Sequence, residues 1–155
     1  MLVRKVLGAL ALASIGLAAC GPIDAKSSPP SVAQAKLVPL TIATAKGVLH
    51  YKVEVARTSD EQARGLMFRT VLPDDGGMIF PMSPPRFASF WMKNTLLPLD
   101  IIFIRPDHTI ESIAANAVPG DLTPLESGEP VAAVLEIIGG DAARLGIAPG
   151  DKISW

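Results

Sequence analysis

From Leu37 onward the sequence alternates apolar and polar residues with a period of two, and Gly and Pro interrupt the alternation at short intervals. The segment Val48-Leu49-His50-Tyr51-Lys52-Val53-Glu54-Val55 shows it most clearly. Leu49, Tyr51, Val53 and Val55 fall on one face; His50, Lys52 and Glu54 fall on the other. Successive side chains of a strand point to opposite sides, so this pattern predicts a half-buried strand. Leu40 and Ile42 extend the idea one strand earlier, with a hairpin turn at Ala45-Lys46-Gly47. Further short strands are expected over 78–80, 87–93, 98–104, 109–114 and 131–138, and at the C-terminus to Trp155. Turn chemistry marks 73–77, 81–85 and 106–108, and a loop of roughly 15 residues precedes Val131.

Two segments read as helical. Thr58 or Ser59 can cap a helix, with Glu61 or Gln62 as the capping-box partner three residues on, and Gly65 offers a stop. A second helical turn is expected over 141–145, after Gly139-Gly140. Thirteen glycines and 14 prolines suit a turn-rich β protein. The expected class is mainly β: a compact β-sandwich or jelly-roll-like barrel with one or two short helices covering an end.

The mean hydropathy of +0.37 is high for a soluble chain and directs attention to the N-terminus. Arg4 and Lys5 precede an apolar run over residues 6–19. Fourteen residues cannot span a bilayer, which needs about 20, but they fit the core of a signal peptide. The run ends in Leu17-Ala18-Ala19-Cys20, and Cys20 is the sole cysteine. This resembles the lipobox of bacterial lipoproteins, which implies cleavage before Cys20 and lipidation of that residue. Gly rather than Asp at position 21 then favours the outer membrane, facing the periplasm, over the inner membrane. Residues 20–36 are small, polar and Pro-rich, the composition of a flexible tether. The expected organisation is a leader over 1–19, lipidated Cys20 and tether over 20–36, and one β domain over 37–155.

Loss of Arg4 and Lys5 with the leader takes 14 basic residues to 12, against 15 acidic ones, for a net charge of −3. No basic patch of the kind that binds nucleic acid is expected. With Cys20 lipidated, no thiol is left for a disulfide, a metal or catalysis. His50 and His108 are far apart and have no metal-ligand spacing, and no phosphate loop, dinucleotide fingerprint or nucleophile elbow is present. The sequence implies no cofactor and no metal, and it marks no catalytic residue. Asp74-Asp75-Gly76-Gly77 lacks the alternating carboxylates of a calcium loop and reads as a turn.

The remaining puzzle is the polar content of the apolar segments. Lys93, Asn94 and Asp100 interrupt SFWMKNTLLPLDIIFI, and Glu136 interrupts VAAVLEII. A buried carboxylate must be paired, hydrogen-bonded or protonated. One reading brings Asp100 and Glu136 together with Lys93, Arg64 and Arg69 as a buried ion-pair network. The other makes them the floor of a cleft walled by Met67, Phe90, Trp91 and Met92, the pattern of a binding site. Asp100 and Glu136 are also candidates for the carboxylate pair of a glycoside hydrolase. Residues 142–153 are similar to the helix-to-strand turn of PDZ domains, although no carboxylate-binding loop precedes them, and a Gly-Pro-Gly-Asp turn accounts for the similarity more simply.

The ordered blocks RGLMFR (64–69), GMIF (77–80), FWMKNT (90–95), PLDI (98–101), Leu135-Glu136 and Gly150-Asp151 resemble the bacterial and archaeal family known as domain of unknown function 192. The resemblance runs over roughly residues 38–155, and the WMKNT block is its most specific part. It implies a compact jelly-roll-type sandwich with a short helix; it implies no established activity and so assigns no catalytic residue. Arg64, Met67, Lys93, Asn94, Asp100 and Glu136 occupy its motif positions. With Trp91, these are the candidate ligand-binding residues. The expected function is that of a lipid-anchored envelope protein binding a small molecule, a glycan or a protein segment. The alternatives are an envelope hydrolase using Asp100 and Glu136, or a structural envelope protein.

Overall fold

The computed structural model describes residues 36–155. The expected leader (1–19), the lipidation site at Cys20 and the tether up to residue 35 lie outside the described residues. The alternating segments become nine strands and two short helices: β1 (Val38–Thr44), β2 (Gly47–Val55), α1 (Ser59–Arg64), β3 (Gly76–Arg86), β4 (Ser89–Phe90), β5 (Leu99–Ile104), β6 (Ile110–Ala117), β7 (Leu125–Glu126), β8 (Val131–Ile138), α2 (Asp141–Leu145) and β9 (Lys152–Ser154). The chain is mainly β, as its patterning predicts. None of these helices is long and apolar enough to cross a membrane.

Seven strands form one curled sheet in the order β6-β5-β8-β3-β2-β1-β9, and β4 pairs with β7 in a separate ribbon. All neighbours are antiparallel except β2 and β3, which run parallel and are joined through α1. The two edges of the sheet meet at one end. Thr109 bridges to Lys152, Ile110 N–H donates to Asp151 O (2.8 Å) and Ile153 N–H donates to His108 O (2.9 Å). The result is a half-barrel closed at that end.

Each face of the sheet carries its own core. Ile42, Val53, Ile79, Ile102, Ile104, Leu135 and Ile137 pack on one face, joined by Ala142 and Ile147 from the α2 region. Met78, Phe80, Leu99, Ile101, Phe103 and Val134 pack on the other, under Leu66, Ala88 and Met92. This explains why all six residues of β5 are buried: alternate residues feed opposite cores. Each fully buried Ile or Leu contributes roughly 1.5–3 kcal/mol of burial free energy. The strands next to the middle of the sheet therefore hold the fold together from both sides.

The first helix forms as the capping signal predicts. Thr58 Oγ accepts from Glu61 N–H (3.2 Å), and Glu61 Oε2 accepts from Thr58 N–H (2.9 Å) and Arg57 N–H (2.8 Å). The helix ends at Arg64, and Gly65 at φ +48°, ψ −136° turns the chain away. Two local expectations are corrected. Residues 81–85 are not a turn but belong to β3: Pro81 is in register with Ala133, and Pro84 and Pro85 fall in the irregular stretch of pairing that follows, before Arg86. Residues 87–93 hold only the short strand β4. Beyond it the chain turns: Thr95 N–H donates to Met92 O (3.0 Å) and Asn94 takes φ +54°.

Candidate functional site

Glu136 reaches the site through strand parity. In β8, Leu135 and Ile137 face one core, so Val134 and Glu136 face the other. Met78 of β3 and Ile101 of β5 flank Glu136 in register, and neither offers a polar side-chain partner. Glu136 is 5% exposed, and its Oε2 has no hydrogen-bond partner among the described residues. Desolvation by burial pushes its pKa up to about 8. The side chain is therefore an uncharged carboxylic acid through neutral pH, able both to donate and to accept a hydrogen bond.

Above it lies a hollow of about 480 Å³. One side is the end of α1 and the turn after it (62–67); the other is the stretch 86–91 leading into β4; Phe80, Met82, Thr95 and Glu136 complete it. The Phe80 and Phe90 rings meet edge to face at 5.1 Å. Trp91 (49% exposed) and Phe87 (67% exposed) stand at the rim. Gln62 ties the two sides together: its Nε2 donates to Pro81 O (3.0 Å) and Ala56 O (3.3 Å), and its Oε1 accepts from Arg86 Nη2 (3.3 Å). A smaller hollow of about 210 Å³, lined by Ser89, Phe90, Trp91 and Pro124, shares the aromatic wall.

Two arginines stand at the rim. Arg64 and Arg86 line the hollow, and neither forms an ion pair among the described residues. Lys93 Nζ sits 5.0 Å from the centroid of the Trp91 ring, a cation–π contact. Two strained turns hold this region in place. Phe68 at φ +63° donates its N–H to the carbonyl oxygen of Asn94 at φ +54° (2.8 Å), and Asn94 Nδ2 donates to Met67 Sδ (3.9 Å).

Of the candidate residues, Arg64, Met67, Trp91 and Glu136 line the hollow together. Lys93 and Asn94 adjoin it through Trp91 and Met67. Asp100 does not join them. It pairs with Ile137 across β5/β8 while Glu136 pairs with Ile101, so Asp100 and Glu136 emerge on opposite faces of one sheet. Asp100 is fully buried and accepts three backbone N–H bonds, from Asn116 (2.7 Å) and Gly140 (3.0 Å) to Oδ1 and from Ala142 (2.7 Å) to Oδ2. It braces the Gly139-Gly140 turn and the start of α2. The expected convergence of the two carboxylates is thus not formed, and neither is the acid/base pair of a glycoside hydrolase. Arg69 also stays apart, paired with Glu54 at 2.7 Å, and Met92 is buried in the core instead of walling the cleft. Arg86, Phe87, Phe80 and Gln62 line the hollow but are not among the candidate residues. The Arg86-Phe87 pair directly after Pro84-Pro85 is a readable sign of an exposed basic and aromatic edge. Among the described residues no group of three His, Cys, Asp or Glu side chains is placed to hold a metal ion.

Residues 41–155 match DUF192, described as "Uncharacterized ACR". A crystal structure of a protein of unknown function from Novosphingobium aromaticivorans DSM 12444 is 51% identical, covering 88% of this chain and 100% of that chain, with a TM-score of 0.78. A second, from Sinorhizobium meliloti 1021 and described conjecturally as a transcription regulator, is 42% identical, covering 75% of this chain and 91% of that chain, with a TM-score of 0.73. No curated protein matches. The chain belongs to the DUF192 family.

Proposed function

We infer that this DUF192 protein binds a small molecule, a glycan or a protein segment in the hollow above Glu136, and does so at the cell envelope, anchored through lipid on Cys20. One observation carries the binding reading: a buried, unpartnered carboxyl group forms part of the floor of an aromatic-walled hollow. An unsatisfied buried polar group costs about 1–3 kcal/mol, which a ligand group placed against it recovers. A core selected for stability alone gains nothing from that arrangement, since an apolar residue at 136 would avoid the penalty. The envelope location rests on the Leu17-Ala18-Ala19-Cys20 sequence.

Trp91 makes the binding reading directly measurable, because the only other tryptophan is Trp155. In a Trp155→Phe background, a ligand drawn from a panel of glycans and short peptides quenches or shifts Trp91 emission saturably and raises the melting temperature. Removing the aromatic platform with Trp91→Ala abolishes that stabilisation without unfolding the protein. A panel that produces no saturable change counts against the reading. The anchor is tested separately by growing cells with a clickable fatty acid: the wild-type chain is labelled and a Cys20→Ala chain is not. A wild-type chain that takes up no lipid removes the anchor.

A further inference from the structure

We propose that the ligand of this hollow is a small anionic amphiphile: an apolar or sugar-ring body, a carboxylate held at the mouth by Arg64 and Arg86, and an uncharged amide or hydroxyl group reaching Glu136. The proposal rests on the binding reading above and gives that site its ligand class.

The charge distribution points this way. The hollow is lined by two cations, Arg64 and Arg86, and one carboxyl group, Glu136. No described carboxylate forms an ion pair with either arginine. Lys93 adds a third positive charge beside Trp91. Yet the whole chain carries a net charge of −1, so this concentration of unpaired cations runs against the overall balance. Arginine forks match carboxylate geometry and are weakly enough hydrated to give up water for it.

The floor excludes the opposite kind of ligand. Among the described residues, β3 presents Met78 and Phe80 to Glu136, β5 presents Ile101, the turn after α1 presents Gly65, and the charged side chains lining the hollow with it are Arg64 and Arg86 at the mouth. Burial alone accounts for the uncharged state of Glu136. An ammonium ligand would have to ionise this group and pass two arginines. A neutral acid, in contrast, matches an amide or a hydroxyl, since it offers one donor and one acceptor side by side. Between mouth and floor, Phe80, Phe90 and Trp91 provide ring faces and edges for an apolar body or a sugar ring.

Two matched pairs test the class and separate its two sources. N-acetylphenylalanine and its C-terminal amide represent a peptide end; N-acetylmuramic acid and N-acetylglucosamine represent a wall sugar. Binding is followed by Trp91 emission and calorimetry. At least one acid is expected to bind about tenfold or more tighter than its neutral counterpart, the discrimination that one charge-assisted contact supplies. The double variant Arg64→Gln/Arg86→Gln is expected to reduce that acid to the affinity of its neutral counterpart. Affinity for the acid is expected to be level up to about pH 7 and to fall as pH rises through about 8 and beyond, as Glu136 with its pKa of about 8 loses its proton and brings a negative charge into the hollow. The Glu136→Gln protein is expected to lose that pH dependence. Neutral counterparts that bind as well as the acids overturn the ligand class and leave the binding site standing. Cationic or uncharged panel members that bind when neither acid does have the same consequence. Failure of every compound, acids and panel alike, removes the class and the site together.

Discussion

Gly65 lies directly over the carboxyl group of Glu136: a Cβ added at Gly65 would stand 3.8 Å from Glu136 Oε2 and 3.3 Å from Phe80 Cζ. The backbone there, at φ +48° and ψ −136°, is a conformation that only glycine adopts freely. Substitution by Ala both strains the turn and presses on the Phe80 ring. Gly65→Ala is expected to destabilise the protein by about 1–3 kcal/mol, seen as a lower urea midpoint with an unchanged slope. An unchanged midpoint would mean that the turn relaxes at no cost and that its approach to Glu136 is not fixed by this residue.

The buried state of Glu136 gives stability a pH dependence opposite to that of a salt-bridged carboxylate. Its pKa is about 8 in the folded protein against 4.5 for the ordinary group. Between those values the folded chain holds a proton that the unfolded chain has released. Stability is therefore fully present below about pH 4.5, falls as pH rises to about 8, and levels off above that. The slope in the window is at most about 1.4 kcal/mol per pH unit, and the total loss is a few kcal/mol. Glu136→Gln is expected to flatten this contribution, which makes the variant more stable than wild type at pH 8 and close to it near pH 4. Parallel curves of unfolding free energy against pH for the two proteins would show that Glu136 is hydrated or paired in solution.

Asp100, unlike Glu136, has its buried oxygens engaged by three backbone donors, so its replacement is expected to destabilise the fold. Asp100→Ala strands the N–H groups of Asn116, Gly140 and Ala142 around a buried gap. The expected loss is about 3 kcal/mol or more, since each of the three stranded donors costs about 1–3 kcal/mol. Asp100→Asn keeps the shape but turns an amide NH2 toward donors and is expected to lose part of that amount. Thermal melts rank the three proteins. Wild-type melting by the Ala variant would show that the turn before α2 does not depend on this carboxylate.

The contrast between these two carboxylates shows where sequence reading stops. That Asp100 and Glu136 are anomalous is visible from composition alone, since each interrupts an apolar run. The runs themselves identify β5 and β8 as strands buried on both sides, and the Thr58–Glu61 signal places α1. Which face each carboxylate takes is a different matter. It depends on β5 lying beside β8 with Asp100 opposite Ile137, and a one-residue change of register would reverse the answer. Spacing within a strand does not encode its partner's register. The prolines at 84 and 85 mislead for a related reason: they break strands unless an irregular pairing accommodates them, and that irregularity belongs to β3 and β8 jointly. Arg86 enters the site only because β3 continues past those prolines.

Tyr51 tests whether the unpartnered polar groups on the other face follow the same physics. Its ring is packed in the core with Ile42, Val53 and Leu135, and its hydroxyl has no hydrogen-bond partner among the described residues. Burial pushes the phenol pKa up to about 12, and the nearby carboxylates of Asp141 and Asp100 add to the rise while Arg144 opposes it. Asp141 Oδ1 accepts from Arg144 Nε (3.0 Å) and Nη2 (2.7 Å), but its Oδ2 is likewise unpartnered among the described residues. A hydroxyl removed from water without a partner costs about 1–3 kcal/mol, whereas deleting its single oxygen leaves the ring contacts intact. Tyr51→Phe is therefore expected to be neutral or up to about 1 kcal/mol more stable than wild type in urea unfolding. A loss of more than about 1 kcal/mol would reveal a hydrogen bond made in solution, for which Asp141 Oδ2 is an unsatisfied acceptor on the same face. The double variant Tyr51→Phe/Asp141→Asn then decides the partner: if the two losses fail to add, the phenol and that carboxylate are bonded to each other.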